Sequence, residues 1–167
     1  WNWFNSDCQI LTYSKFSYFK FAVVLTTAFF LNGQSSRKVV YLNGKVEKIN
    51  SDLEGATSIS NLEINSTVSA NEIIATAKGS RAEFKSKDQI LRLGSLSVCR
   101  FPSSSEIWIH SGSLLFSSTK EARLEFSSIK SKLEFEGIGT YILEATSNGG
   151  FKFIPIEGTG SISTKSG

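Results

Sequence analysis

Few side chains in this sequence have the types and spacing that chemistry requires. His110 is the only histidine, and neither Ser111 nor Ser113 beside it lies in the G-x-S-x-G sequence that presents a nucleophilic serine. Glu134 and Glu136 are two residues apart, like a pair of glycosidase carboxylates, but a strand with charges on its solvent face has the same spacing. We therefore expect no catalytic residue, and an envelope glycan hydrolase acting through the two glutamates is kept as an alternative.

The composition does not indicate a metal or cofactor site. A transition-metal site draws several ligands from His, Cys, Asp and Glu, whereas the chain after Ser36 contains one His, one Cys and two Asp. The one cysteine, Cys99, has no disulfide partner there. We expect it to be a small buried hydrophobe, with intermolecular pairing as the alternative. No glycine loop typical of phosphate binding is present, and we expect neither a cofactor nor a metal.

Trp108 is the residue that points toward binding. It alternates with Ile107 and Ile109, so it faces solvent if the two isoleucines face the core. An exposed tryptophan on a sheet is a platform for a sugar ring or for an apolar patch of a protein. The alternative is that both faces of the sheet are covered. The net charge is +3 and the basic residues form no stripe, so we expect no nucleic-acid partner.

The elements that must position these residues are strands. After Ser36, apolar and polar residues alternate with period two, and no segment keeps a 3.6-residue apolar stripe for three turns. The clearest alternating segments are 82–84, 106–110, 122–126, 132–136 and 151–157. Their spacing predicts an all-β fold: a β-helical, rolled or sandwich-like stack of about 10–12 short strands.

Glycine, asparagine and serine mark turns between the alternating segments. Turns are predicted at 43–44, 78–80, 87–88, 111–113 and 148–150. The polar stretch Asn50–Ala70 is expected to be a loop or a weak polar strand pair. Proline cannot donate a hydrogen bond to the ladder, so Pro155 is expected to mark an edge strand or a bulge.

The beginning of the chain resembles an export signal. Lys15 and Lys20 precede the apolar run Phe21–Leu31, and small and polar residues follow it up to Ser36. As a helix the run is about 16 Å long, well short of a bilayer core of about 30 Å. We expect a signal peptide at 15–35 and a periplasmic or secreted protein. The alternative is an inner-membrane anchor at Tyr18–Leu31, the only contact with a membrane that we expect.

Residues 1–14 are expected to be a non-native or upstream-read extension, because the chain contains no methionine and begins with Trp1. The remainder, 36–167, contains no composition shift that would mark a domain boundary, and we expect it to form one β domain.

Four segments in order resemble motifs of the FecR-type domain, the periplasmic part of an iron-citrate signalling regulator. Ile73–Phe84 is similar to the family's strand–turn–strand around Thr76, Gly79 and Ser80. Phe135–Glu144 is similar to its G-T-x-F pattern at Gly139, Thr140 and Tyr141. The two others, Ile107–Leu115 and Phe153–Gly160, resemble the family's V-x-L-x-x-G-x-L and V-x-V-x-E-G-x-V motifs, the second of which contains Gly158.

The resemblance implies a β-helical or rolled all-β fold and a non-catalytic role in the bacterial cell envelope, in binding a protein or glycan partner and in signalling. A membrane-tethered signal relay is the alternative. Family members continue to a further strand, so the resemblance also implies a domain cut short at its C-terminus. We expect Gly79 and Gly139 to permit tight turns or close backbone approach, Thr140 to hydrogen-bond to backbone, and Tyr141 to return to the core.

Overall fold

The computed structural model describes residues 36–51, 57–70 and 72–165, and every regular element in them is a β-strand. The eleven strands are β1 (Arg37–Asn43), β2 (Val46–Ser51), β3 (Thr57–Asn61), β4 (Thr67–Val68), β5 (Ile73–Thr76), β6 (Arg81–Ser86), β7 (Gln89–Leu93), β8 (Val98–Arg100), β9 (Glu106–Ser127), β10 (Lys132–Ala145) and β11 (Phe151–Lys165). The prediction of an all-β protein is therefore confirmed for this part of the chain. None of these residues forms a helix that is long and apolar enough to cross a membrane.

All the strand pairs are antiparallel, and together they form one sheet that curls into a half-barrel. The strands follow each other in the order β3-β2-β5-β8-β9-β7-β6-β1-β4. The long strand β9 pairs with β8 and then with β7 along one edge, and with β10 along the other. Strand β11 pairs with β10. Of the architectures predicted, the rolled one comes nearest to this curled sheet.

Alternation of side chains explains why these segments are strands. In β9, Ala122, Leu124 and Phe126 are buried while Arg123 between them is exposed. Opposite residues of neighbouring strands lie on the same face. The buried side chains therefore line the inner face of the half-barrel, and the charged ones cover the outer face.

Aromatic rings fill the inner face where β9, β10 and β11 meet. Phe135 lies at the centre of this cluster, with ring centroids 5.7 Å from Phe116, 4.7 Å from Tyr141 and 5.9 Å from Phe153. A second pair, Phe84 and Phe101, packs edge to face at 5.2 Å. Of the 13 phenylalanines, seven lie in the described residues, and they supply much of the core of this curved sheet.

The expectation that the strands are short is wrong for the last three elements, which contain 22, 14 and 15 residues. Ser111–Ser113, predicted as a turn, lies inside β9. Gly112 has a φ of +86°, which suits a turn or a bulge equally well. The ladder with β8 ends at Ser111 after a register shift, and the ladder with β10 begins at Gly112, which is opposite Ala145. The glycine therefore bends β9 and does not end it.

The other predicted turns are confirmed. Gly44, Gly79 and Gly149 have positive φ between consecutive strands, and Lys87 has a φ of +48° between β6 and β7. Asn50–Ala70, expected to be a loop or a weak polar strand pair, contains the exposed polar strand β3, whose partner β2 lies mostly before this stretch. Pro155 lies on the outermost strand β11 at a register shift, as expected of an edge or a bulge.

Candidate functional site

Trp108 lies on the outer face of β9, with its side chain partly buried. Ile107 and Ile109, on either side of it, have no exposed surface, so the core at this point is complete without the indole. The predicted alternation is therefore confirmed, and the outer face is not fully covered here. His110, beyond Ile109, is exposed, as expected for a histidine facing solvent.

Two further side chains extend the indole surface. Arg100 of β8 is directly opposite Trp108, and its guanidinium lies 5.7 Å from the centre of the Trp108 ring. The His110 ring also packs against Trp108, with ring centroids 5.6 Å apart and ring planes inclined by 25°. We call these three residues the Trp108 row. A cation over an indole is attracted to the ring and also limits its motion, so the row is an ordered surface of aromatic and cationic groups.

The Arg100 side chain has an unusual hydrogen-bonding state. Its Nε is buried and has no hydrogen-bond partner among the described residues. A buried donor without an acceptor costs roughly 1–3 kcal/mol, whereas guanidinium groups pair strongly with carboxylates. An external partner cannot reach this buried Nε, so the Trp108 row offers a partner the indole surface and the charge of the guanidinium.

A second group of charged residues lines a groove of about 510 Å³ on the outer face of β9, β10 and β11. It includes Glu134 and Glu136, which sequence analysis considered as a carboxylate pair. Both carboxylate oxygens of Glu136 accept hydrogen bonds from Arg123, at 2.9 and 2.8 Å. Glu134 is directly opposite Glu125, whose carboxylate accepts a hydrogen bond of 2.7 Å from Lys132. That hydrogen bond raises the pKa of Lys132.

Thr76 and Ser80, from the first family-like motif, are buried polar residues. The Thr76 hydroxyl donates to the Gly94 carbonyl at 2.6 Å and accepts from the Ser97 N–H at 2.9 Å. The Ser80 hydroxyl accepts from the Lys45 N–H at 2.9 Å. These side chains satisfy backbone groups where strands end, which is a structural role.

Gly79 forms the turn between β5 and β6, with a φ of +74°, and its N–H donates to the Ser95 hydroxyl at 2.8 Å. A Cβ on Gly79 would meet nothing within 4 Å. Glycine is therefore favoured at this position only by the positive φ of the turn, and not by lack of space for a side chain.

In the second motif the backbones of β10 and β11 leave no room for a side chain. Gly139 is opposite Gly158, with φ of +132° and +106°. A Cβ on Gly139 would lie 2.2 Å from the Glu157 carbonyl oxygen, and one on Gly158 would lie 2.1 Å from the Ile138 carbonyl oxygen. The predicted close backbone approach at Gly139 is confirmed.

Tyr141 is buried and its hydroxyl donates to the Ile138 carbonyl at 3.0 Å, so the expected return to the core is confirmed. Thr140 was expected to hydrogen-bond to backbone, but its hydrogen-bond partners are side chains. Its hydroxyl contacts the side chains of Ser117 and Glu157, both at 3.1 Å, because it lies on the outer face of β10 between two strands that have polar residues at these positions.

Arg37 is a buried cation that the alternation pattern did not predict. It is 1% exposed, its Nη2 donates to the Ser104 carbonyl at 2.9 Å, and its guanidinium lies 5.0 Å from the centre of the Phe101 ring. Burial lowers the pKa of Arg37 to about 10. The available signal was its position two residues before the apolar Val39, which places both side chains on one face of β1.

Cys99 is fully buried and unpaired, which confirms the expected small hydrophobe. Burial raises the pKa of its thiol well above the usual range. Within the described ranges, no three His, Cys, Asp or Glu side chains are grouped closely enough to hold a metal ion.

Comparison of the chain with protein-family models, with curated proteins and with solved structures gives no match in any of the three.

Proposed function

We propose that this chain is a non-catalytic, exported domain of the FecR type that binds a glycan or protein partner in the bacterial cell envelope. The observation that carries the proposal is the Trp108 row, an aromatic and cationic surface on the outer face of a sheet whose core is complete without it. The resemblance of four sequence segments to FecR motifs supports the envelope setting.

The chemistry of the Trp108 row suits partners with a flat apolar face and a nearby anionic or hydroxyl group. An indole stacks on the apolar face of a sugar ring or on an apolar patch of a protein. Arg100 is a donor for carboxylate or hydroxyl oxygens next to that face. Tryptophan and arginine are also the residues most enriched among those that dominate interface energetics.

The test targets Trp108 and measures binding by co-sedimentation. Because Trp108 is the only tryptophan after Ser36, a change in the tryptophan fluorescence of the processed wild-type domain on binding would come from this site alone. We expect the wild-type domain to co-sediment with isolated peptidoglycan sacculi or to retain a specific protein from envelope extracts. Trp108→Ala should weaken that binding at least tenfold, because it removes the stacking surface.

The matched control is Ile129→Ala, which truncates an apolar side chain that is 65% exposed in the β9–β10 connection. We expect this variant to bind like the wild type. Both variants should keep a cooperative thermal transition close to that of the wild type. Equal binding by Trp108→Ala and the wild type would refute a role for the Trp108 row.

A glycan hydrolase remains the second candidate, because Glu125, Glu134 and Glu136 line the groove described above. The Arg123–Glu136 pair and the Lys132–Glu125 pair argue for a solvated charged face, since cross-strand ion pairs occur wherever opposite charges alternate on a sheet. The test is the double variant Glu134→Gln, Glu136→Gln assayed on purified peptidoglycan. Activity in the wild type that disappears in the double variant would support hydrolysis, whereas activity retained in the variant would exclude these residues.

Export and anchoring concern 15–35, which lies outside the described residues. We propose a periplasmic or secreted domain, with an inner-membrane-anchored signal relay as the alternative. The measurement is the intact mass and cell fraction of the protein expressed from its own gene. A soluble envelope species beginning near Ser36 supports the free domain, and a membrane-bound species retaining Lys15–Leu31 supports the relay.

A further inference from the structure

A continuous row of side chains crosses the outer face of β3, β2, β5, β8 and β9. Each member is directly opposite the next in the ladders between these strands, and opposite residues share a face. In order across the sheet, the members are Ile59, Ile49, Ile73, Arg100 and Trp108. We call them the five-strand row. It extends the indole and guanidinium of the Trp108 row by three isoleucines.

The five-strand row is largely apolar and open to solvent. Ile59 is 62% exposed, and the other four members are partly exposed. Ala75 and Val98, opposite each other on β5 and β8, are also partly exposed and widen the apolar surface. The described strands all belong to one sheet, so none of them forms a second layer over this face. Continuous apolar surface of this kind marks an interaction site.

Arg100 lacks the counter-charge that other arginines of the outer face have. Arg92 pairs with Glu83 across β7 and β6, and Arg123 pairs with Glu136 across β9 and β10. Arg100 takes part in none of the ion pairs among the described residues. The row is therefore complementary to an apolar partner that carries a carboxylate.

The three isoleucines favour a protein over a glycan. Sugar rings stack on aromatic faces, whereas sugar hydroxyls placed against isoleucine lose hydrogen bonds to water and gain none. The backbone of an extended peptide would incur the same cost, because the aliphatic side chains of the row neither donate nor accept hydrogen bonds. An α-helix satisfies its own backbone hydrogen bonds and presents only side chains. The apolar face of a helix is therefore the best match for this surface.

We propose that the five-strand row is the docking site for an amphipathic helix of a partner protein, and that a carboxylate of this helix pairs with Arg100. This inference rests on the proposed binding function and narrows the partner to a helical protein segment. Neighbouring strands are about 4.8 Å apart, so the four steps from Ile59 to Trp108 span about 19 Å. A helix rises about 1.5 Å per residue, so about 13 residues cover the row.

Site-specific photo-crosslinking tests the length and the form of the occupant together. In the full chain, expressed from its own gene, a photo-reactive phenylalanine analogue replaces Ile59 in one variant and His110, the exposed neighbour of Trp108, in another. Both variants should cross-link to the same partner protein, at partner positions about 13 residues apart. An extended segment that spans the same distance would give about six residues. The matched control carries the analogue at Ile129, which is 65% exposed outside the row, and it should not cross-link to that protein.

A synthetic peptide covering the cross-linked partner segment then tests the contacts one by one. Arg100→Gln should weaken binding of this peptide at least tenfold, and so should replacement of the acidic residue of the peptide by its amide. Ile73→Ser should also weaken binding at least tenfold, whereas Ile129→Ser should leave it unchanged. Each variant should keep a cooperative thermal transition, because these side chains lie outside the core. Equal binding by Arg100→Gln and the wild type would overturn the carboxylate contact.

The outcomes separate this inference from the proposed function. Partner positions about six residues apart, or no cross-link at Ile59, would overturn the helix. If Trp108→Ala still loses binding to sacculi or to a protein, the proposed function of the Trp108 row stands without the helix. If Trp108→Ala also binds like the wild type, both the helix and the proposed function are refuted.

Discussion

Replacing Gly139 with alanine is the perturbation whose cost follows most directly from the structure. The residue has a φ of +132°, a conformation that costs a side-chain-bearing residue roughly 1–3 kcal/mol. The new Cβ would also lie 2.2 Å from the Glu157 carbonyl oxygen and 2.7 Å from the Gly158 Cα. Both atoms belong to the backbone of β11, so no side-chain rotation relieves the contact.

The strands must move apart to accommodate this atom. Losing one or two ladder hydrogen bonds between β10 and β11 costs about 0.5–1.5 kcal/mol each. Together with the backbone strain, we expect Gly139→Ala to lower the free energy of unfolding by about 3–5 kcal/mol. Total stabilities of about 5–15 kcal/mol are usual for a domain, so this loss is a large fraction of what holds the fold.

Gly79→Ala is the matched control, because it also has positive φ but its Cβ would meet nothing within 4 Å. Left-handed strain of about 1–2 kcal/mol is partly offset by the lower entropy of the unfolded chain, about 0.4–1 kcal/mol. We expect a net loss near 1 kcal/mol. The assay is urea unfolding followed by circular dichroism. A Gly139→Ala variant within 1 kcal/mol of Gly79→Ala would refute the argument, whereas an insoluble Gly139→Ala beside a soluble Gly79→Ala would support it.

Two further predictions concern buried groups. Cys99 should not react with a thiol reagent at pH 8 in the folded protein, because burial raises the pKa of its thiol and shields the sulfur; it should react rapidly in urea, and equal rates in the two states would contradict its burial. Arg37→Met should cost less than Arg37→Ala in thermal unfolding, because methionine fills most of the space without a charge that must be desolvated, whereas alanine leaves a cavity. Equal losses of unfolding midpoint would show that the charge itself, and not the volume, stabilises this position.

The period-two pattern predicted the strands well because burial on one face is a local property of the sequence. Arg123 and Glu136, for example, are directly opposite each other on neighbouring strands. The alternation within β9 alone predicts that Arg123 faces outward, and the alternation within β10 alone predicts the same for Glu136. The same reasoning put Trp108 on the opposite face from Ile107 and Ile109, and the structure shows that the two isoleucines are the buried ones. These features required no knowledge of which strands pair.

Features that depend on pairing were not predictable in this way. Gly112 has the local character of a turn, and only its pairing with Ala145 of β10 places it inside a longer strand. Arg37 is buried because Phe101 and the Ser104 carbonyl lie over it, and both are more than sixty residues away in sequence. The stacking of Arg100 on Trp108 likewise needs the β8–β9 register. All three features depend on residues that are distant in the sequence, and the local alternation pattern carries no information about those residues.

The central position of β9 has a consequence for the order of folding. In the pairing order, β3, β2, β5 and β8 come before β9, and β7, β6, β1 and β4 come after it. Strands of the two groups are interleaved along the chain, and among the described strands no ladder joins the two groups except through β9. During synthesis every one of these eight strands therefore emerges before the strand that joins them. Because such long-range pairing is slow and leaves strand edges open meanwhile, we expect the nascent chain to need protection from aggregation until β9 has emerged.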